Sequence, residues 1–573
     1  MQDLRDGLLT CAVLYLVLAP GSNIAAAESW PHYVRIAGHS LRPDNAEDIV
    51  AESQSSNVFG IEVDNDIPGR YESFLDPAAK LEAIRKAAAA AHRVGNKSFV
   101  YIAGLECITA NAANNPHSFF KDHPDWVQRK LDGTPAMFGG GTAFWIRQGD
   151  EDVWVSPFPP DWRKRYMSLV RQIAATGIDG IYVDIPYWMT HFKGWEKTWA
   201  SFDDYTVAAF WRETGLDARH DMRLGNISDP HFRRWIDFRI KTITDFMKEI
   251  DSNVKAGNPQ CITIAEIYPG IEETVPRVGA DVYQLYPVVD TIAHEYHGMS
   301  DSMAASKSPA DWFDQMIGMF AFRSFAGDKP TWMLNYSWDG EKGASIPESM
   351  KTLFAAQLTA GANSWDAKGH VMSGSNDMQT RTEVFGWIKQ HEHVYYDLRE
   401  PVDPVGVYFS PATRNYYPKE FIDSFKGTMN LLLKSHREFE IVTPRTLANF
   451  RGPVLIVPAS KYIASDEMTA LRAYKLHLGA GLPEIPPQKV TVTASPLTVA
   501  QIASVNGKLH VFLDNFGGVP DSGAVVTFPA GAGSHIRILP FLGVASEIPA
   551  QHTSGDLVAK IPPFERAMVV WCE

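Results

Sequence analysis

Between about residues 30 and 395, short apolar runs rich in β-branched and aromatic residues alternate with longer stretches whose apolar positions recur at helical spacing. The runs predict strands at 33–37, 58–63, 98–103, 180–184, 261–266, 281–286, 331–335 and 361–365. That is the number a closed parallel (βα)8 TIM barrel needs. The stretches between them predict the outer helices. One spans 77–94 and ends near Gly95-Asn96, and a second spans 161–176 and ends at Gly177. A third spans 229–254, with Trp235, Phe238, Ile243 and Phe246 on or near one face. Asp229 followed by Pro230 suits an N-cap and first helical position.

Beyond residue 398 the pattern changes. Apolar runs at 405–409, 439–442 and 453–458, with helices at 421–435 and 466–478, predict a smaller α/β domain. A Pro-rich stretch at 483–487 reads as a linker. Runs at 489–493, 508–514, 523–528, 535–539 and 568–571, separated by Gly and Pro turns, predict a β-sandwich. The expected division is a leader at 1–27, a barrel at 28–398, an α/β domain at 399–486 and a C-terminal sandwich at 487–573. The leader reading rests on an apolar run at 8–18, too short to span a bilayer, and on Ala25-Ala26-Ala27 as a cleavage site. Its Arg5 is flanked by Asp3 and Asp6, which is unusual for such a segment. Secretion, to the periplasm or beyond, is the expected destination.

The formal net charge is −14 and no basic run stands out. Nucleic acid is therefore not an expected partner, because binding it needs clustered cations to neutralise phosphates. A membrane surface is disfavoured on the same ground. Cys11 leaves with the leader, and Cys107, Cys261 and Cys572 have neither CxxC spacing nor an even number. Buried thiols are expected, rather than a disulfide framework or a zinc site. Aromatic residues make up 12% of the chain, which suits stacking on sugar rings and equally suits a large core.

In such a barrel the reactive groups stand at the C-terminal strand ends. In chain order these ends carry His39 and Arg42, then Glu62, Asp64 and Asp66, then Glu106, Asp184 and Glu266. Asp290, His294 and Glu295 follow the sixth run, Asn335, Trp338 and Asp339 the seventh, and Trp365 and Asp366 the eighth. Packing gives no reason to gather so many acids on one rim, since buried carboxylates are costly unless paired. Asp184 ends a buried run that opens after a turn at 177–180, and Tyr187 and Trp188 follow as a candidate sugar platform. Its alternative role is to cap the next loop. Glu266 ends a second buried run and Tyr268 follows it. Its alternatives are a ligand for sugar hydroxyls or the partner of an arginine.

Glycosidic cleavage uses two carboxyl groups, one to attack or activate water and one to protonate the leaving oxygen. Retention is the expected course, with Asp184 as nucleophile and Glu266 as acid/base. Asp339 and Asp366, in the Trp-Asp pairs Trp338-Asp339 and Trp365-Asp366, are rivals for the acid role or ligands for sugar hydroxyls, and Asn335 is a further candidate ligand. Glu62 and Asp64 are placed at the bottom of the sugar pocket. Other chemistries fit less well. His294 and His297 are three apart rather than the four of a helical zinc pair, no GxSxG elbow occurs, and no glycine-rich phosphate loop follows a strand. No metal and no cofactor are expected.

The stretch at 81–103, then His123-Pro124-Asp125-Trp126 with Asp132-Gly133, then 177–184, resembles a group of bacterial proteins classed as hypothetical glycosyl hydrolases. The resemblance covers nearly the whole mature chain. It implies a barrel, an α/β domain of the glutamine-amidotransferase type similar to the trimerisation domain of family 42 β-galactosidases, and a small β domain. Self-association through the α/β domain is implied with it. The order Asp184, Glu266, Asp339 is also similar to that of the α-amylase clan. This chain departs from that pattern, with Tyr182 in place of an arginine and Ser337-Trp338-Asp339 in place of a His-Asp pair. Relative to family 42, Val183-Asp184 stands where an Asn-Glu pair belongs. A fucosidase-like barrel likewise uses a strand-four Asp. The expected activity is hydrolysis of O-glycosidic bonds in an extracellular poly- or oligosaccharide. A transglycosylase and a carbohydrate-binding barrel without turnover are the alternatives.

Overall fold

The computed structural model describes residues 30–573 apart from 144–145, 191, 269, 296–307, 336–345, 368–376, 464, 473, 475, 479–481 and 483. The leader, Trp338 and Asp339 lie outside the described residues. Eight strands close into a barrel in chain order: Ile36–Ser40, Gly60–Asp64, Lys97–Ala103, Gly180–Asp184, Ile262–Ile267, Thr291–His294, Thr331–Asn335 and Asn363–Ala367. Every neighbouring pair is parallel, including the closing pair in which Ile36 aligns with Trp365.

One strand differs from expectation. The segment predicted as strand six, 281–286, forms a short helix (Val282–Leu285) that runs into a 3-10 turn (Tyr286–Val288). Asp281 caps this helix by accepting from the Tyr283 N–H, and its carboxylate pairs with Arg414 at 2.8 Å. A side chain that caps locally offers the backbone an alternative to the sheet. The sixth strand is formed one element later, by Thr291–His294.

Strand periodicity sorts the barrel's two walls. Phe99, Tyr182, Ile264, Ala293, Leu334 and Trp365 share a cluster inside the barrel. Their chain neighbours Val183, Ala265 and Ile292 belong to the larger core between strands and helices. The outer helices follow the apolar periodicity closely, at Ala78–Arg93, Pro160–Ala174 and Pro230–Gly257. Asp229 caps the last of these through the His231 N–H, and Trp235, Phe238, Ile243 and Phe246 are all buried. Trp162 stacks on Phe246 with centroids 5.9 Å apart and joins two of these helices.

Between strands three and four the chain makes a small antiparallel sheet from Glu106–Thr109, Glu151–Trp154 and Met137–Gly139. Strands of three and four residues show no period that sequence reading can detect.

After the barrel, Phe439–Val442, Val405–Tyr408, Leu455–Val457 and Leu476–Leu478 form a parallel sheet in that order. The helix expected at 466–478 is shorter, Ser465–Leu471, and its last part is the strand just named. Two antiparallel sheets complete the chain. One has six strands, among them Glu400–Pro401, Thr498–Val505 and Lys508–Asn515, and the other has four. Val511, Leu513, Val526 and Phe528 fill the space between them. The outer face of the six-stranded sheet is also covered. Phe512 joins the barrel's core, and Phe516 stacks on Trp312 at 5.4 Å. Burial on both faces removes the alternation that marks a strand, so Thr498–Val505 was not foreseen. Cys107, Cys261 and Cys572 are buried free thiols.

Candidate active site

The chemistry gathers where strands three to six open. Tyr182 faces into the barrel, so Asp184, two residues on, shares its side. The Tyr101 hydroxyl donates to Asp184 Oδ2. Immediately after Asp184 the backbone turns through Ile185 at φ +48°. That region is strained for a β-branched residue and persists only where the surroundings enforce it. The turn aims the Ile185 N–H at Glu266 Oε2, 3.4 Å away. Gly104 supports it from the other side. Its N–H donates to the Asp184 carbonyl at 2.8 Å, and a Cβ at Gly104 would stand 2.8 Å from that same oxygen.

Glu266 also faces inward and is 0% exposed. Its carboxyl hydrogen-bonds with those of Glu295 and Asp184. Among the described residues, no N–H or O–H group serves its Oε1. Carboxyls in contact must share a proton, since two like charges so close cannot both persist. Glu266 holds it. Burial first, then the charges of Glu295 and Asp184, push its carboxyl well above the usual range.

Glu295 follows strand six, half-buried, and its N–H donates to the Ile267 carbonyl at 3.1 Å. Sequence reasoning noted Glu295 on the rim but did not rank it as a site residue, because strand six was set too early. A signal was present. Thr263-Ile264-Ala265-Glu266 is echoed by Thr291-Ile292-Ala293-His294-Glu295. Tyr101 was missed as well, and its inward parity with Phe99 is the feature that would have found it.

Below and beside this trio lie other expected residues. Glu62 is 1% exposed, and among the described residues neither carboxyl oxygen makes a well-formed hydrogen bond, the His39 backbone contributing only a weak one. Burial, then Asp64, raises its carboxyl well above the ordinary range, with a smaller push from Asp184. Asp64 ends strand two, half-buried, and accepts from the Asp66 N–H at 2.9 Å. Tyr187 is buried, its ring 5.8 Å from Trp154 and 5.7 Å from Tyr268. Its hydroxyl is driven upward by burial and then by Glu266, Asp184 and Glu295, which places it beside all three. The half-buried Tyr268 is pushed up to about 12, chiefly by burial.

Three expected residues stand elsewhere. Trp188 is fully buried, donates its ring N–H to the Arg239 carbonyl at 3.0 Å and carries the Arg239 guanidinium over its ring at 5.6 Å. That packing leaves it no face for a sugar. Trp365 plugs the barrel below the carboxyls, with Phe99 and Tyr182 at 5.2 and 5.0 Å. Asp366 faces the other way, into a fully buried ion pair with Arg381. A carboxylate so engaged is not available as an acid. Asn335 ends strand seven in register with Asp366.

No protein-family model matches this chain. No curated protein matches it either. Solved structures do. A β-galactosidase from the psychrophilic Marinomonas ef1 is 10% identical, covering 94% of this chain and 100% of its own, with a TM-score of 0.61. Gan42B, a family 42 β-galactosidase from G. stearothermophilus, is 11% identical, covering 94% and 98%, with a TM-score of 0.64. The fold is theirs. A cycloisomaltooligosaccharide glucanotransferase from Paenibacillus is 10% identical, covering 95% and 85%, with a TM-score of 0.55. The shared architecture extends past the barrel, since each alignment covers nearly all of this chain.

Proposed function

We propose that this chain is a retaining glycosidase of an extracellular poly- or oligosaccharide, with Asp184 as nucleophile and Glu266 as the source of the acid's proton. The observation that carries the reading is the contact between Asp184 and the wholly buried Glu266, whose carboxyl is pushed toward its protonated form, at the C-terminal mouth of the barrel. Asp184, oriented by Tyr101, attacks the anomeric carbon while a proton passes to the departing oxygen. Water then displaces Asp184 and returns a proton to the acid. Environments that push neighbouring carboxyls apart in proton affinity are what such a division of roles requires. Glu62 and Asp64 lie on the same side of their strand, and in this reading they hold the sugar's hydroxyls. The named activities of the structural neighbours, β-galactosidases and a glucanotransferase, support glycosyl transfer in this fold. The glucanotransferase adds a second reading, in which a sugar replaces water in the second step.

The test is a panel of aryl glycosides with wild type and Asp184→Ala. Hydrolysis is expected to vanish in the variant, and azide is expected to restore turnover with a glycosyl azide of inverted configuration. An Asp184→Ala enzyme that keeps the wild-type rate removes the nucleophile.

A further inference from the structure

Glu266 has the right proton but the wrong position to meet a leaving group. A retaining pair stands about 5–5.5 Å apart so that the glycosidic bond fits between its carboxyls. Hydrogen-bonded carboxyls approach to about 2.5–3.0 Å between oxygens. Glu266 is in such contact with Asp184 and is fully buried. The Ile185 N–H, on the strained turn, holds it there. No glycosidic oxygen fits between the two.

The next carboxyl along is Glu295. Glu295 touches Glu266 on the side away from strand four, at the end of strand six. Neighbouring strands lie about 4.8 Å apart, so Glu295 starts one strand further from Asp184 than Glu266 does, and its carboxyl reaches back to touch Glu266. It is half-buried where Glu266 is closed to solvent, and its backbone is anchored to strand five through Ile267.

We propose that Glu295 is the catalytic acid/base that meets the glycosidic oxygen, and that Glu266 is a positioning residue that bridges it to Asp184 and resupplies its proton. This rests on the glycosidase reading above. The proposed cycle starts with Glu295 and Glu266 protonated and Asp184 as the carboxylate that its nucleophilic role requires. As the bond from the anomeric carbon to the leaving oxygen breaks and the bond to Asp184 forms, Glu295 gives its proton to the leaving oxygen. Glu266 passes its own proton to the other oxygen of Glu295 and becomes the carboxylate. In the second step water attacks, its proton goes to Glu295, the Glu295 proton returns to Glu266, and Asp184 is released. Protons and charge balance across the cycle. The trio titrates as one unit, so its pH limbs belong to the group rather than to one residue.

Leaving-group dependence separates the roles. For the sugar that wild type cleaves, the 2,4-dinitrophenyl glycoside departs without protonation and the 4-methoxyphenyl glycoside needs it. Glu295→Gln is expected to lose about 10²–10⁴-fold in kcat/KM on the methoxyphenyl substrate. It should keep forming the glycosyl-enzyme from the dinitrophenyl substrate, which also shows that the variant is folded. Azide should then accelerate its turnover to a glycosyl azide of retained configuration. Glu266→Gln is expected to slow both substrates by a similar, smaller factor. Wild-type rates for Glu295→Gln on the methoxyphenyl substrate overturn the proposal. So does the leaving-group pattern with azide rescue appearing in Glu266→Gln instead. A wild type that cleaves no aryl glycoside counts against the glycosidase reading itself, and the assignment of Glu295 falls with it.

Discussion

Asp366 and Glu266 each stand near the end of a barrel strand and each is wholly shielded from water. Asp366 faces the outer wall, where Arg381 from the following helix meets it in a buried ion pair. Glu266 faces the inner wall, where its polar neighbours include a backbone N–H, two further carboxyls and the Tyr187 hydroxyl, but no cation is among its named partners. The same kind of pairing recurs outside the barrel sheet, at Asp281 with Arg414. The inner wall repeats its own at Glu62, buried and, among the described residues, without a well-formed hydrogen bond on either oxygen. Packing explains the first kind, because a buried charge that meets its counter-ion can be part of a stable core. It does not explain the second, which raises proton affinity and leaves hydrogen-bonding capacity unfilled. That capacity is what a polyhydroxylated ligand supplies.

The contrast breaks most visibly at the outer pair. Arg381→Met leaves the buried Asp366 without this counter-ion, and should cost about 3–5 kcal/mol of stability. Chemical denaturation reads this directly, and activity per folded molecule should be unchanged. If Asp366 were instead the catalytic acid, Asp366→Asn would show the leaving-group pattern expected of Glu295→Gln.

At the inner wall the sign reverses. Glu62 binds its proton more tightly when folded than a free glutamate, whose ordinary value is 4.5. Its contribution to stability is therefore complete below about pH 4.5 and is lost as pH rises toward its folded value. The slope is about 1.4 kcal/mol per pH unit across that window. Glu62→Gln removes this loss. Its stability should match wild type near pH 4 and exceed it at pH 7, while the affinity for substrate falls. Melting temperatures measured across that range check it, and a variant less stable than wild type at pH 7 would mean that Glu62 is paired in the folded state.

The same two walls explain what could be read from the sequence. Asp184 was legible because its strand, Gly180–Asp184, begins after a turn glycine and ends on the acid, with nothing to blur either boundary. The helices were legible because one face of each is buried and the other is wet. Glu295 was undervalued because Asp281 lies in a β-rich run, and a capping bond invisible in the sequence turns that run into helix. Trp365 and Asp366 were both placed in the pocket, although adjacent strand residues cannot share a wall. The structure sends Trp365 inward and Asp366 outward. Trp188 looked like a platform by type, and only the packing of Arg239 over its ring shows otherwise. Type and spacing located the rim, whereas parity and tertiary pairing decided which of its acids are exposed to chemistry.

The smallest effect concerns Tyr101, which donates to Asp184 from the neighbouring strand. Its hydroxyl is buried among Asp184, Glu106 and Asp64 and is pushed far above the phenol's ordinary range, first by burial and then by those charges, so it stays a donor at every working pH. Tyr101→Phe deletes one hydrogen bond to a charged acceptor and leaves the ring, 5.7 Å from Tyr182, in place. A bond of this kind contributes about 1.5–3 kcal/mol, which corresponds to roughly 10–150-fold in kcat/KM. The loss should fall equally on activated and unactivated aryl glycosides, because the donor orients the nucleophile and takes no part in protonating the leaving group. A loss confined to the unactivated substrate would instead join Tyr101 to the acid side of the site, and would erase the distinction between Asp184 and the two glutamates on which the assignment of roles depends.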